Sequence, residues 1–569
     1  MYLSKNRLIS LWLCSAAVVT IARILHAADL GYDLTLQIQA AQNLLEGNGL
    51  SIYSLTGEDD LAKPSQLITL TQFPSGYSFC SAALIAMGFN VGAVIKACGA
   101  AATILGWWGW GKLAYAFFRE AWEHGRVSRW AGSAIAIGSP LLFTPPWKGT
   151  DIFLWAAVPW VLGWIVRASD ENASRGLWLD GLAGVVCGFC VLMRYASLFL
   201  VIYAGFLILC QSRRVTVLAW RWTAFGAGLF PLVALQFYLN QFVSTVEATP
   251  SGVIFNRDVL AGVKYLWQGL RFLTSANFAA VWWMPHKAVT LLTQRAEQAP
   301  WVIGATFAVF ALPLLFAVKL GYRRLSAASR DVRVAAAGLF VAVPMFLWAC
   351  GAMFGPFYAT VTRYYTPVLP LAVFVAYAFA FIQRKDESKI QGLVRMASLG
   401  YLTGYLCIVA AEVVLLPLPG TWASNQREKF LGTFELRRWP SMKLNYEFSA
   451  ARRYVLALLK EKPDTVLVTN QEQWYYSDPS LDRSRLHSLE GLRASYVSGP
   501  ARILIMAGEP PFEEPVEALY ELGKIRRVGY FEHFPDLHLL KRFPEEHVKI
   551  LEARIPDGSR IPLNRRAAE

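Results

Sequence analysis

"DLGYDLTLQIQAAQNLLEGNGLSIYS" (29–54) follows directly on the first apolar run of the chain. It holds two acids, a periodic segment and a glycine-rich stop. Leu34, Ile38, Ala41 and Leu45 recur at helical spacing, while Gln37, Gln39, Gln42 and Asn43 fall largely elsewhere. The pattern predicts a short helix with one greasy face and one uncharged polar face, suited to lying along a membrane interface. Asp33 immediately precedes this helix, and Gly47 and Gly49 end it. Asp33 has two readings: an N-cap, or a carboxylate held at the membrane surface for chemistry. Asp29 sits four residues earlier, where the first span meets water.

The rest of the chain supplies that membrane. Of 569 residues, 55% are hydrophobic and only 17% charged, against about 25% in a typical soluble protein. Long apolar runs recur, each near the ~20 residues that cross a bilayer. The net charge of +14 gathers in short clusters between these runs, such as Arg126 with Arg129, Arg213 with Arg214, and Arg384 with Lys385. Such clusters mark cytoplasmic loops, so the excess charge is topological and nucleic acid is excluded as a partner. The eight cysteines fall almost entirely in apolar segments. "CGFC" (187–190) lies in a predicted span and reads as small core residues, with no disulfide framework.

Alternating apolar runs with basic loops gives about eleven spans. They fall near 8–27, 91–118, 129–146, 151–168, 178–194, 196–211, 217–240, 301–319, 334–351, 366–383 and 396–416. With a cytoplasmic N-terminus every basic cluster lands on one side, and 28–90, 241–300 and the tail after 417 land on the other. Segment 77–89 is too short to span. The expected fold is a polytopic α-helical membrane protein with a small C-terminal α/β extracytoplasmic domain. Its divisions are a transmembrane domain 1–416 with external juxtamembrane loop 28–90, a soluble domain 417–557, and a disordered tail 558–569. In the soluble domain, 447–462 predicts a helix, and 464–470 and 501–508 predict buried strands. Further strands are expected around 525–531 and 537–543.

Together "AQNLLEGNGLS" (41–51) and "QFPSGYS" (72–78) resemble the first external loop of the GT-C superfamily of membrane glycosyltransferases. The likeness is to bacterial members related to the protein O-mannosyltransferases and the lipid A aminoarabinose transferases. There an acid precedes an interfacial helix, and a proline-glycine turn leads into a second juxtamembrane helix. "GTDIFLWAAVPWVLGWI" (149–165), "GLAGVVCGFCVLMRYASLFLVIYAG" (181–205) and "TRYYTPVLPLAVFVAYA" (362–378) resemble later family segments, in the same order. The resemblance implies a GT-C fold and places the catalytic acid on Asp33. It puts Asp151 at the acidic position of the second external loop and Arg194 at a helix break. Many members carry paired acids, whereas here Tyr32 precedes Asp33, which leaves the role of Asp29 open.

The implied reaction moves a hexosyl or pentosyl group from a polyprenyl-phosphate donor to an acceptor hydroxyl on a glycan, lipid or protein. The donor's tail lies among membrane lipids and its phosphate at the outer face of the cytoplasmic membrane. A base belongs there, beside a cation for the leaving phosphate. Arginine suits that role because its planar fork matches phosphate oxygens. Arg363, next to Tyr364 at the mouth of a span, fits the grip or is a snorkelling surface arginine. Arg194 either binds phosphate or pairs with Asp151. Asp29, Asp33 and Asp151 offer oxygen ligands that a divalent cation could use, but no motif has metal-ligand spacing, so no metal site is assigned. The rival readings are a membrane transporter, or a flippase or polymerase of lipid-linked envelope glycans. A transporter predicts midplane polar sites on broken helices and a repeat relating two halves, while here the polar signals collect at one face.

Overall fold

A computed structural model describes residues 32–54, 60–70, 73–123, 150–169, 172–212, 214–240, 262–267, 341–349, 450–469, 481–488, 494–508, 536–543 and 548–563, with single positions between them. The chain divides into two compact units. The first comprises Met1–His26, Ala97–Phe237 and Val253–Thr433; the second comprises Ala27–Lys96, Tyr238–Gly252 and Phe434–Glu569.

The second unit opens with α1 (Tyr32–Leu45), an antiparallel hairpin of β1 (Ser51–Ser54) and β2 (Gln66–Thr69), and α2 (Gly76–Ala86). Helix α1 stops where expected. Gly47 and Gly49 take φ of +83° and +69°, a left-handed backbone that glycine adopts without a Cβ penalty. Leu36 and Ala40 of α1 pack on Ile52, Ile68 and Leu70 of the hairpin. The expected polar outer face differs from what is found. Gln37, Gln39, Gln42 and Asn43 are all buried, because α1 is enclosed by protein, with α2 and β1 among its neighbours. Asn43 uses its amide to donate to the Ser51 carbonyl at 2.8 Å.

Helix α3 (Val91–Glu123) starts in the second unit and continues into the first. There α4 (Asp151–Ala168), α5 (Ala173–Met193), a 3-10 turn (Tyr195–Ser197), α6 (Leu198–Gln211) and α7 (Val215–Tyr238) follow with short connections. Helices α4, α5 and α7, and α3 over Val91–Leu113, are long and apolar enough to cross a membrane. These four helices overlap the expected spans at 91–118, 151–168, 178–194 and 217–240, while α6, at the expected span 196–211, is a shorter apolar helix. The spans at 129–146, 301–319, 366–383 and 396–416 lie outside the described residues, as do most of 8–27 and part of 334–351.

Close packing between α5 and α7 depends on glycine. A Cβ on Gly184 would overlap the Phe225 carbonyl, and one on Gly228 would overlap that of Gly181. Small residues permit such backbone contact in membranes. The outer side of α7 exposes Val215, Trp220, Trp222 and Phe230, a surface that suits lipid.

The second unit continues with α8 (Ala450–Glu461), β3 (Val466–Thr469), β4 (Leu486–Ser488), β5 (Tyr496–Ser498), β6 (Ala501–Gly508), β7 (His538–Phe543), β8 (Val548–Ile555) and β9 (Arg560–Pro562). Five strands form one sheet in the order β4-β3-β6-β8-β7. β3 runs parallel to β4 and β6, while β8 is antiparallel to β6 and β7. Central β3 is buried at every residue, which is why it reads as an unbroken apolar run. The expected disorder of 558–569 is corrected in its first part, since β9 pairs antiparallel with β5 and Leu563 joins the core. The expected strand at 525–531 lies outside the described residues.

Leu61, from the connection between β1 and β2, is also buried in that core beside Val466, Val497 and Ile503. Its amide donates to the Tyr496 carbonyl at 2.9 Å, and the Ser65 amide to the Ser484 carbonyl at 2.8 Å. Segments joined by backbone hydrogen bonds share one side of a membrane, so the first loop and the C-terminal sheet lie on the same side.

Candidate active site

The first loop carries the two acids expected from sequence, Asp29 and Asp33. Asp33 is the second residue of α1 rather than the residue before it, so it lies in the first turn of the helix. A carboxylate in the first turn is favoured by the partial positive charge of the helix N-terminus. The side chain of Asp33 lies outside the described atoms, and Asp29, Arg363 and Tyr364 lie outside the described residues.

Asp151 and Arg194 are brought together. Asp151 is the first residue of α4, and Arg194 follows the last residue of α5. The tight 168–173 connection makes these helices antiparallel neighbours, so both residues arrive at one end of the pair. Arg194 leaves helical geometry for an extended backbone, φ −161° and ψ 131°, before the 3-10 turn begins. Its Nε lies 2.8 Å from Asp151 Oδ1, both side chains being buried, and its Nη1 donates to Thr150 Oγ1 at 3.3 Å. Of the two readings of Arg194, pairing with Asp151 is therefore realised.

The pairing bears on metal binding. A carboxylate neutralised by a buried guanidinium is a poor ligand for a divalent cation. Among the described residues no three His, Cys, Asp or Glu side chains converge. A cavity of about 320 Å³ lies in the C-terminal domain, lined by Leu459, Lys460, Pro463, Thr465, Leu481, Asp482 and Leu486. Of the site residues expected from sequence, neither Asp151 nor Arg194, the two whose side chains are described, contributes to it.

No family model matches the chain, and no curated protein does. Among solved structures it is similar to ArnT from Cupriavidus metallidurans bound to undecaprenyl phosphate, at 12% identity over 96% of this chain and 98% of that one, with a TM-score of 0.45. It is also similar to the archaeal oligosaccharyltransferase AglB from Archaeoglobus fulgidus, in complex with an inhibitory peptide and a dolichol-phosphate. That likeness has 14% identity over 99% of this chain and 77% of that one, with a TM-score of 0.36. A third, the arabinofuranosyltransferase AftD from Mycobacteria, shows 13% identity over 98% of this chain and 40% of that one, at 0.40.

Two sets of interactions have no local sequence signal. At the opposite end of α4 and α5, Arg221 of α7 meets both oxygens of Asp180 at 2.7 and 2.9 Å. It also donates to the Ile165 carbonyl and to Ser169 Oγ, each at 2.9 Å. Ser169 in turn donates to Gln211 at 2.7 Å, so this one guanidinium gathers the ends of four helices. The second set docks the first loop on the C-terminal domain. Buried Asp60 accepts at Oδ1 from the amides of Ala62 and Ser498, each at 3.0 Å, and at Oδ2 from the Ser498 hydroxyl. Arg483 pairs with Glu46 at the end of α1, and Ser65 Oγ lies 3.2 Å from His487 Nδ1. Only pairings across the whole chain reveal these contacts.

Proposed function

We propose that the chain is an integral membrane glycosyltransferase of GT-C type. It moves a sugar from a polyprenyl-phosphate donor to an acceptor hydroxyl at the outer face of the cytoplasmic membrane. The observation that carries this reading is the architecture of the first loop. The first helix and the second helix follow one another in the order that "AQNLLEGNGLS" and "QFPSGYS" imply, with Asp33 on the first turn of α1 and a hairpin between them that the sequence did not announce. A soluble enzyme has no need to tie such a loop to the end of an apolar first run.

In this mechanism Asp33 accepts the proton of the acceptor hydroxyl as its oxygen attacks the anomeric carbon. The bond from that carbon to the donor phosphate oxygen breaks, and the phosphate leaves with the electron pair. Attack from the side opposite the phosphate inverts the anomeric centre. An aspartate with a pKa near ~3.9 does not ionise an alcohol outright. It takes the proton as the carbon–oxygen bonds change, which contributes about 10²–10⁴-fold. Arg363 and Tyr364 grip the leaving phosphate. Arg194, held by Asp151 and Thr150, is the second cation assigned to the phosphate, and Asp29 shapes the acidic side.

The test replaces Asp33 with Asn in the full chain. Transfer should fall at least ~100-fold with folded, membrane-extracted protein retained. Cells lacking the protein should accumulate a polyprenyl-phosphate sugar visible by mass spectrometry. Near-normal transfer by the variant would reduce Asp33 to a helix-terminal charge.

A further inference from the structure

The first loop is anchored on the C-terminal domain. Asp60 is 1% exposed and accepts three hydrogen bonds, two of them from Ser498. Leu61 is fully buried among residues of β3, β5, β6 and β8. Ser65 reaches Ser484 through its backbone and His487 through its hydroxyl. Glu46, the residue after α1, is held by Arg483. These contacts occupy the two connections that flank β1, one running directly into α1.

Helix α1 has 14 residues, a rod of about 21 Å at ~1.5 Å per residue. Its last turn adjoins the Glu46–Arg483 pair, and its first turn carries Asp33. A rod fixed at one end transmits the position of that end to the other. A shift of about 1 Å in a reacting group can cost ~100-fold in rate.

We propose that the C-terminal domain positions the catalytic loop, with Arg483, Glu46, Asp60 and Ser498 as positioning residues acting through α1 on Asp33. This rests on the reading of Asp33 as the base. The domain then does more than cover the site or hold an acceptor, because it sets the geometry of proton transfer. Substitutions in it should lower turnover without weakening donor binding.

The test uses the full chain in detergent or nanodiscs, with polyprenyl-phosphate sugars extracted from cells lacking the protein as donor. Variants are Arg483→Gln, Asp60→Asn, and the charge exchange Glu46→Arg with Arg483→Glu. Amide exchange along α1 is measured beside kcat and KM. The single variants should speed exchange in α1 about tenfold and lower kcat about tenfold with donor KM unchanged, and the charge exchange should restore both. Unaltered α1 exchange, or faster exchange with unaltered kcat, overturns the positioning role while leaving the glycosyltransferase reading intact. A wild-type chain that transfers no sugar from these donors overturns the glycosyltransferase reading, and this role with it.

Discussion

Acidification from pH 7 to pH 5 is expected to loosen the first loop from the C-terminal domain by about 2 kcal/mol. The group responsible is His487 of β4, whose ring nitrogen lies 3.2 Å from the Ser65 hydroxyl. Burial disfavours its charged form and the nearby Arg485 repels it, while a backbone hydrogen bond at Leu61 works in the opposite sense; together they bring its pKa down to about 4 from 6.5. Released from the interface, the imidazole returns to the ordinary histidine value near ~6.5. Between these two values the undocked state binds more protons than the docked one. Falling pH therefore favours undocking, beginning below ~6.5 and saturating below ~4. Integrated from pH 7 to pH 5, the difference is about 1.3 units at ~1.36 kcal/mol each, or roughly 20-fold in the docking equilibrium. The assay is hydrogen exchange at the amides of Leu61 and Ser65, which donate to the Tyr496 and Ser484 carbonyls, corrected for the intrinsic effect of pH. His487→Gln should flatten the dependence. Equal protection at both pH values, or the same slope in His487→Gln, would refute the assignment.

Two further predictions concern the membrane domain. Asp180→Ala should destabilise the protein by about 3–5 kcal/mol in thermal unfolding, because it strands the buried Arg221 charge; Asp180→Leu combined with Arg221→Leu should cost less than the single change. Asp151→Asn should likewise lower the melting temperature by removing the counter-charge of Arg194, whereas an Arg194 that serves phosphate alone would leave the melt unchanged.

Elements with local signals were legible in the sequence. Helix α4 occupies 151–168 and β6 occupies 501–508, as read from apolar runs bounded by turn residues. The break at Arg194 falls where the family resemblance put it, with no turn residue to mark it, and pairing with Asp151 is one of the two readings the sequence left open. Strand β8, "VKILEARI", was not legible. It carries Glu552, which burial alone would drive toward the neutral acid. Hydrogen bonds from Arg502 on β6 at 2.9 Å and Arg554 at 2.8 Å outweigh that and hold its carboxyl below the usual range. No periodicity in 548–555 announces that compensation, because half of it comes from another strand. The buried glutamines of α1 were misread for the same reason: an amphipathic pattern shows which faces differ but not what covers them.

The docking of the first loop constrains topology in a way that charge counting does not. Residues 60–65 and 484–498 exchange backbone hydrogen bonds, so an even number of membrane crossings separates them. The scheme of about eleven spans assigns one crossing before the loop and ten between it and the tail. A scheme with one crossing fewer or one more between the loop and the tail would place Leu61 across the bilayer from the core that buries it. A base at Asp33 also needs this parity. On the proposed reading of Asp33, the C-terminal domain that holds α1 must lie on the face where the donor phosphate lies.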